Sequence, residues 1–306
     1  MKRASRLEYT RRVNRVVDHV RQHLADDLSL ATLARLAAFS PFHFHRVFRA
    51  VTGETLFGFI QRLRIEKAAT ALCHDGERSV LEVALDHGFS SAATFARAFR
   101  ARFGTTATAW RAAGAPKARK TGKPIGKGRK ASGGGRADTR RRPTKEAAMN
   151  VQVRESPPYH VAYMRYVGPY GPHGIPELWM KLRTWMDARG LASPTSITLG
   201  ISYDDPSVTA PERCQYDACV VVPSDFVADR SVSVMDLAGG RYGVAPFEGS
   251  AHEIQGAWDR IFCDWLPRSG YQPDDRPCYE LYRGNPMKDM KSGVFRCELY
   301  LPVRPL

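Results

Sequence analysis

Residues 40–53, SPFHFHRVFRAVTG, show the clearest pattern of apolar and polar positions in the chain. Apolar side chains recur at the spacing of one helical face, and they are Phe44, Val47, Phe48 and Val51. The opposite face carries Phe42, His45, Arg46 and Arg49. Ser40-Pro41 is a typical helix start, because the hydroxyl can cap the first turn. The pattern predicts a helix that suits the major groove of DNA, or an ordinary amphipathic helix with a solvated basic face.

A repeat of this plan strengthens the first interpretation. Residues 29–39 predict a preceding helix with Leu30, Leu33, Ala34 and Ala37 at helical spacing, and a short turn then joins the two helices. Residues 79–104 repeat this arrangement about fifty positions later. The matched pairs are Ser29/Ser79, Leu33/Val83, Ala34/Ala84, Ala38/Gly88, Phe39/Phe89, Ser40/Ser90 and, after one inserted residue, Arg46/Arg97, Phe48/Phe99, Arg49/Arg100 and Gly53/Gly104. The sequence therefore predicts two helix-turn-helix units.

Residues 13–111, and GFSSAATFARAFRARFG most specifically, resemble the DNA-binding domain of the AraC/XylS family of transcription regulators. The resemblance implies an all-α domain that binds double-stranded DNA, with RNA polymerase as a further candidate partner. It also implies that bases are read from Phe42, His45 and Arg46, and from Ala93, Thr94 and Arg97. Arg49 and Arg100 join the candidate DNA-binding residues because they share the outward faces. Alanines at 92 and 93, where relatives often have polar residues, predict weaker base readout by the second unit.

Two more helices are predicted around these units. Val13, Val16, Val17, Val20 and Leu24 mark a first helix under the first unit. Residues 55–72 form a connecting helix whose buried candidates include Phe59, Leu63, Ala68 and Leu72. At ~1.5 Å per residue it spans ~26 Å, whereas successive faces of B-DNA repeat every ~34 Å. Either the DNA bends or one recognition helix sits less deeply.

The charge of the chain is unevenly distributed. Length alone favours two domains for 306 residues. Residues 1–114 carry a net charge of +8, residues 115–148 carry +10, and residues 149–306 carry −3. The middle segment is basic, rich in glycine and nearly free of large apolar residues, which predicts a linker without a core. It is a solvated flexible tether, or a tether that also follows DNA phosphates.

Several classes of protein are not favoured by the sequence. It contains no apolar run long enough for a membrane span and no signal-peptide core, so a cytoplasmic protein is expected. The six cysteines lack CxxC spacing and are expected to be reduced, packed thiols. His19 and His23 lie one turn apart but lack further ligands, so they are read as a polar helix face. No metal and no cofactor are expected.

Residues 149–306 show a second internal repeat. Strands are predicted near 151–154, 161–165, 198–203 and 217–222 in one half, and near 232–237, 242–247, 279–282 and 295–301 in the other. Each half also contains one predicted helix, at residues 175–189 and 252–266. The two helices align with Trp179 beside Trp258 and Trp185 beside Trp265. The repeat predicts an α+β domain of two pseudo-equivalent halves, an antiparallel sheet with helices on one side.

This second region resembles the GyrI-like small-molecule-binding domain of multidrug-responsive regulators. The resemblance is carried by VGPYGPHGI, GISYDDP, PFEGS, WLPRSGYQ, YELYRGNP and ELYLPV. It implies an aromatic-lined cleft between the halves, in which Glu280 meets the positive charge of a ligand. Tyr282, Trp179 and Trp258 are the aromatic candidates, and Cys278, Glu280 and Tyr282 share one face of a strand by alternation. The alternative is a surface glutamate paired with Arg283 or Arg296.

The combined interpretation is a one-component transcription regulator whose DNA binding responds to a small-molecule effector. One alternative is that the C-terminal domain hydrolyses small toxic electrophiles, with Glu280 as general base. No Ser-His-Asp or Cys-His arrangement can be recognised in the sequence. No catalytic residue is therefore assigned, and a non-enzymatic protein is favoured. A nucleoid or repair-associated DNA-binding protein with an unused sensor domain is a third alternative.

The basic segment should contribute affinity for DNA without sequence preference. Deleting residues 117–145 should weaken binding to all DNA sequences and flatten the dependence of log K on log salt, because fewer counterions are released. DNA titrations at several salt concentrations measure this. An unchanged slope would leave the segment as a spacer.

Overall fold

The computed structural model describes residues 3–74, 78–113, 149–171, 173–206, 208–274, 276–283 and 293–306. The predicted linker at residues 115–148 lies outside the described residues. The described chain has a helical N-terminal region and a C-terminal antiparallel sheet with two longer helices against one face. The predicted fold class is thus confirmed. None of the described helices is both long and apolar enough to span a membrane.

The described N-terminal region is built from helices of 7 to 20 residues, which include two similar units. The helices are α1 (Arg3–Gln22), α2 (Leu30–Leu36), α3 (Pro41–Thr52), α4 (Leu56–His74), α5 (Val80–Asp86), α6 (Ala92–Phe103) and α7 (Ala107–Ala113). The α2–α3 and α5–α6 pairs are the two predicted helix-turn-helix units. Each of these four helices begins after a serine whose hydroxyl accepts a backbone N–H bond, at Ser29, Ser40, Ser79 and Ser91.

Two apolar cores lie side by side along α4. One joins α1, α2, α3 and the first half of α4, and the other joins the second half of α4 with α5, α6 and α7. The predicted core residues of α1 and α4 are buried. Val51 and Leu30 were predicted on apolar faces, and here the prediction is wrong, because both are exposed. They lie in the terminal turns of α3 and α2, beyond the stretches that neighbouring helices cover.

The C-terminal region is a nine-stranded antiparallel sheet. Its strands are β1 (Gln152–Ser156), β2 (Tyr159–Val167), β3 (Ile197–Ser202), β4 (Gln215–Val221), β5 (Ser233–Leu237), β6 (Gly240–Gly249), β7 (Tyr271–Pro273), β8 (Tyr279–Arg283) and β9 (Phe295–Pro305). Their order is β1-β6-β9-β8-β3-β4-β2-β5, and β7 pairs with β9. Helix α8 (Ile175–Asp187) and helix α9 (Ile254–Arg260) follow the second strand of each half. The short β7 was not predicted.

The strand order has pseudo-twofold symmetry about the β3–β8 pair. Reversing the order exchanges β1 with β5, β2 with β6, β3 with β8 and β4 with β9, so the predicted repeat is present in the structure. The first strand of each half pairs with the second strand of the other half, β1 with β6 and β5 with β2. This exchange was not predicted. It interlocks the two halves.

Each face of the sheet has its own core. The face under α8 and α9 buries Trp179, Leu182 and Trp258 with strand residues such as Tyr216 and Tyr282. The opposite face has a tyrosine cluster in which the Tyr279 and Tyr300 rings stack at 4.7 Å. All six cysteines are free thiols. Cys263 is exposed, contrary to the prediction of packed thiols, because it lies on the outer side of the turn that extends α9.

Gly88→Ala should destabilise the N-terminal region more than Gly53→Ala does. Both glycines have φ of 77°, where a Cβ costs about 1–2 kcal/mol. A Cβ at position 88 would also lie 2.6 Å from the carbonyl oxygen of Leu24, whereas nothing lies within 4 Å of one at position 53. Urea unfolding followed by circular dichroism measures both losses. Equal losses would contradict the tight contact at Gly88.

Candidate DNA-binding face and effector site

The outward face of α3 carries the predicted basic side chains. His45, Arg46 and Arg49 are exposed and, with Ala50, line a shallow surface recess. The orientation of α3 is fixed because Phe44 and Phe48, on the other side of the helix, are completely buried in the first core. The side chain of Phe42 lies outside the described part of the structure. With its apolar side buried, α3 presents two guanidinium groups and an imidazole together on its exposed side, as a contact with the major groove requires.

Helix α6 presents fewer side chains that can hydrogen-bond to bases than α3 does. Arg97 and Arg100 are exposed, and Phe95 and Phe99 anchor the helix from behind. Thr94 is half-buried, and its hydroxyl lies 3.0 Å from the Ser91 hydroxyl in the N-terminal cap. Part of its hydrogen-bonding capacity is thus already used. The outward face consists mainly of alanines and two arginines, and weaker base readout by this unit stays a prediction.

Glu280 lies on β8 in the core under α8 and α9. Its side chain is 6% exposed, and its Oε2 accepts hydrogen bonds from the Tyr282 hydroxyl at 2.9 Å and the Tyr216 hydroxyl at 3.0 Å. The indole N–H of Trp179 donates to the Tyr216 hydroxyl at 3.2 Å. The Trp179 and Tyr282 rings meet edge to face at 5.3 Å. The structure thus forms an aromatic box around one carboxylate.

The box contains all four residues proposed from the sequence, since Trp258 is also buried in this core. Tyr216 was not proposed from the sequence, and it lies in β4, which begins at Gln215 and not at the predicted residue 217. The alternative of a surface glutamate paired with an arginine is wrong. Arg283 lies 3.7 Å from Glu298, and Arg296 lies 2.9 Å from Glu248.

Gly200 is a second residue that sequence reasoning did not assign to the site. It lies on β3 directly opposite Glu280 in the β3–β8 register. A Cβ at this position would collide with the Tyr216 hydroxyl and lie 2.7 Å from Oε2 of Glu280. Glycine therefore provides the space in which the tyrosine and the carboxylate meet. The GISYDDP segment contained Gly200, but its role depends on a partner strand eighty residues away.

Burial dominates the electrostatics of the box. Desolvation raises the pKa of Glu280, although hydrogen bonds from Tyr282, Tyr216 and Trp258 act to lower it. Burial also raises the pKa values of the Tyr216 and Tyr282 hydroxyls well above their ordinary range, and the neighbouring carboxylate adds to both increases. Both hydroxyls therefore remain donors at neutral pH. Among the described residues, the hydrogen-bond donors to Glu280 are neutral groups.

The fold and these two sites define a DNA-binding regulator with a small-molecule-binding domain. Residues 149–304 match the family model of the GyrI-like small molecule binding domain, and residues 33–113 match a helix-turn-helix domain model of the AraC type. The first match spans half of the chain, which belongs to the GyrI-like family. Both resemblances noted in the sequence are confirmed.

Relatives of both regions are known. YosT of Bacillus subtilis strain 168, an SPbeta prophage-derived protein described as a transcriptional regulator, is 30% identical over 51% of this chain and 100% of its own. A DNA gyrase inhibitor of Pantoea sp. strain At-9b is 29% identical over 52% of this chain and 100% of its own. Among solved structures, the C-terminal domain of AraT, a response regulator from Geobacillus stearothermophilus, is 25% identical over 33% of this chain and 84% of that one, with a TM-score of 0.32.

Glu280→Gln should increase the free energy of unfolding, and the gain should grow with pH. A carboxyl whose pKa is raised by folding stabilises the native state below its unfolded pKa and loses that contribution as pH rises through the folded value. Glutamine keeps an oxygen that can accept both hydroxyls but carries no charge. Urea unfolding at about pH 5 and about pH 8 measures the gain.

Glu248→Gln is the matched control, because Glu248 is exposed and Arg296 lowers its pKa. This variant should show no gain at the higher pH. A gain for Glu280→Gln that is equal at the two pH values would contradict the burial of an ionisable carboxyl.

Proposed function

We propose that this chain is a one-component transcription regulator whose DNA binding is controlled by a lipophilic cationic effector. In this proposal, residues 1–114 bind DNA, residues 149–306 bind the effector, and residues 115–148 link them. The observation that carries it is one polypeptide with an exposed basic recognition face and a buried carboxylate in an aromatic box. The chain is proposed to act in the cytoplasm, with RNA polymerase as a further partner.

The proposed DNA contacts come from both helix-turn-helix units. Arg46 and His45 are assigned to base edges, with Phe42 beside them, because they lie on the outward face of α3. Thr94 and Arg97 are the corresponding residues of α6. Arg49 and Arg100 lie one turn further along their helices, where phosphate contact would fix the orientation of each unit.

The proposed effector is a cation because of the environment of Glu280. An ionised carboxylate is costly in an apolar core unless a positive charge compensates it. The faces of Trp179, Trp258 and Tyr282 add cation–π attraction at short range. All of these side chains are buried, so an effector must displace some of them to enter. Binding is therefore coupled to a rearrangement inside the sheet–helix core.

The two alternative functions lead to different outcomes in one experiment. A single carboxylate serves binding as readily as catalysis, and the matching family descriptions name small-molecule binding and a helix-turn-helix. The purified full-length protein is incubated with activated lactones and lipophilic cations, and turnover and thermal shift are followed. A saturable shift without turnover supports the regulator, turnover supports the hydrolase, and neither supports a DNA-binding protein with an unused sensor domain.

Arg46→Ala should weaken binding to a selected DNA site by about 1–3 kcal/mol and relax the preference at one base pair. The site is obtained by selecting bound sequences from a random DNA pool. Arg183→Ala removes an equal charge from α8 and should leave sequence preference unchanged. An equal loss on selected and random DNA would reassign Arg46 to phosphate contact.

Glu280→Gln should reduce affinity for a cation and spare a neutral molecule of similar size. Tetraphenylphosphonium and triphenylphosphine oxide are a suitable pair, because both carry phenyl groups and only the first is charged. Calorimetry measures both affinities, and ligand-free DNA binding should remain nearly intact. Equal losses for the pair would mean that Glu280 acts through structure, and unchanged binding of both would place the site elsewhere.

A further inference from the structure

Strand β4 connects the effector box with the DNA-binding region through two neighbouring residues. Tyr216 points to the face under the helices and donates to Glu280. Asp217, the next residue, lies on the opposite face because side chains alternate along a strand. Asp217 is completely buried and accepts two hydrogen bonds from the Arg165 guanidinium, at 2.7 and 2.6 Å. This strand therefore contacts the effector box directly and the N-terminal region through Arg165.

The partners of Asp217 reach into the N-terminal region. Arg165 on β2 also donates to Asp18 of α1 at 2.7 Å, and the Tyr163 hydroxyl donates to the same carboxylate at 2.5 Å. The Tyr203 hydroxyl donates to Asp217 at 2.9 Å from the end of β3. An aspartate of α1 and an aspartate of β4 thus share one buried guanidinium group.

The loop that leads into β4 makes a second set of contacts with the helices. Asp204 pairs with Arg21 of α1, and its carboxylate also accepts a hydrogen bond from the backbone N–H of Gln215 at the start of β4. Further along, Thr209 donates to Glu66 of α4 at 3.0 Å, and Val208 is buried in the second helical core.

The same loop touches both helix-turn-helix units. Arg213 pairs with Glu54, which directly follows α3 and its C-terminal glycine, at 2.6 Å. The carbonyl of Val208 accepts a hydrogen bond from Arg102 of α6 at 3.2 Å, and Arg102 also pairs with Glu66. The loop therefore contacts α6 near its C-terminal end and the residue that follows the C-terminal glycine of α3.

The ion pairs at the contact between the N-terminal and C-terminal regions are buried, which makes this contact a discrete state. The Arg21 and Asp204 side chains are 5% and 4% exposed, and those of Arg165 and Asp217 are 6% and 0% exposed. Removing one partner of such a pair leaves an uncompensated buried charge. A rearrangement of this interface would therefore have to exchange whole contacts, as in two-state elements.

We propose that β4 and the loop before it transmit occupancy of the effector box to the two helix-turn-helix units. A molecule bound at Glu280 competes for the Tyr216 hydrogen bond and moves β4. The link from Asp217 through Arg165 to α1 then changes, as do the contacts of Asp204 with α1 and of Thr209 with α4. The relative position of α3 and α6 shifts with them. This inference rests on the proposed effector site at Glu280.

Comparing two tyrosine variants tests the route. Tyr216→Phe and Tyr282→Phe each remove one hydroxyl that donates to the same oxygen of Glu280, but only Tyr216 lies on β4. The affinity of full-length protein for selected DNA is measured with and without saturating tetraphenylphosphonium. Each variant is saturated according to its own affinity for the probe. The probe should change DNA affinity of the wild type and of Tyr282→Phe by about fivefold or more, and that factor should fall close to unity in Tyr216→Phe.

Other outcomes separate this inference from the effector site itself. A probe that binds without changing the DNA affinity of the wild type would overturn the coupling and leave the site in place. Equal loss of coupling in both variants would overturn the β4 route. If Tyr216→Phe does not fold, Asp18→Asn at the far end of the route replaces it. This variant should reduce the change in DNA affinity caused by the probe in the same way.

A second measurement needs no effector. By reciprocity, DNA binding must alter the state of the sensor if the two sites are coupled. Hydrogen exchange of β4 amides should therefore change when selected DNA is added to the wild type, and this change should be smaller in Asp18→Asn. If tetraphenylphosphonium does not bind, the proposed cation site fails, and this exchange experiment still decides the coupling. Unchanged exchange in the wild type would overturn it.

Discussion

The antiparallel pairing of β3 with β8 is the interaction on which the effector region depends. It joins the two halves at their pseudo-twofold axis and sets Gly200 opposite Glu280. Because glycine has no side chain, the Tyr216 hydroxyl can reach the carboxylate across the strand pair. The same symmetry brings α8 with Trp179 and α9 with Trp258 over the sheet. Displacing this pair would dismantle the box without changing any of its residues.

The sequence was most informative where the signals are local. Serine caps, the glycines after α3 and α6, and the apolar stripes located both helix-turn-helix units, because each of these features acts within a few residues of its position. The exchange of β1 and β5 between the halves has no local signal, since it depends on which distant strand completes the sheet. Gly200 and Tyr216 were missed for this reason. Their roles exist only once β3, β4 and β8 are neighbours.

The charge of a side chain was the least reliable indication of whether it lies on the surface, in a core or at an interface. Residues 1–114 carry a net charge of +8, yet Arg21, Arg62 and Arg102 do not belong to the recognition face. They pair with carboxylates in and around the contact with the C-terminal region, where their charge is compensated. Similarly, glutamate is a residue type that is mostly exposed in proteins, yet Glu280 lies in a core. A one-dimensional charge count cannot distinguish a solvated arginine from one that holds two domains together.

The alternation of β4 has a consequence for how this protein can tolerate change. Tyr216 and Asp217 serve different partners only because they are consecutive in the chain and lie on opposite sides of the sheet. Deleting a single residue upstream in the strand would shift its register and send each side chain to the other face. Asp217 would then take the place of Tyr216 in the aromatic box, and Ala218 would take the place of the acid that holds Arg165. A substitution of Tyr216 or Asp217 changes contacts on one face of the sheet, whereas a change in the length of the strand would alter the contacts on both faces at once.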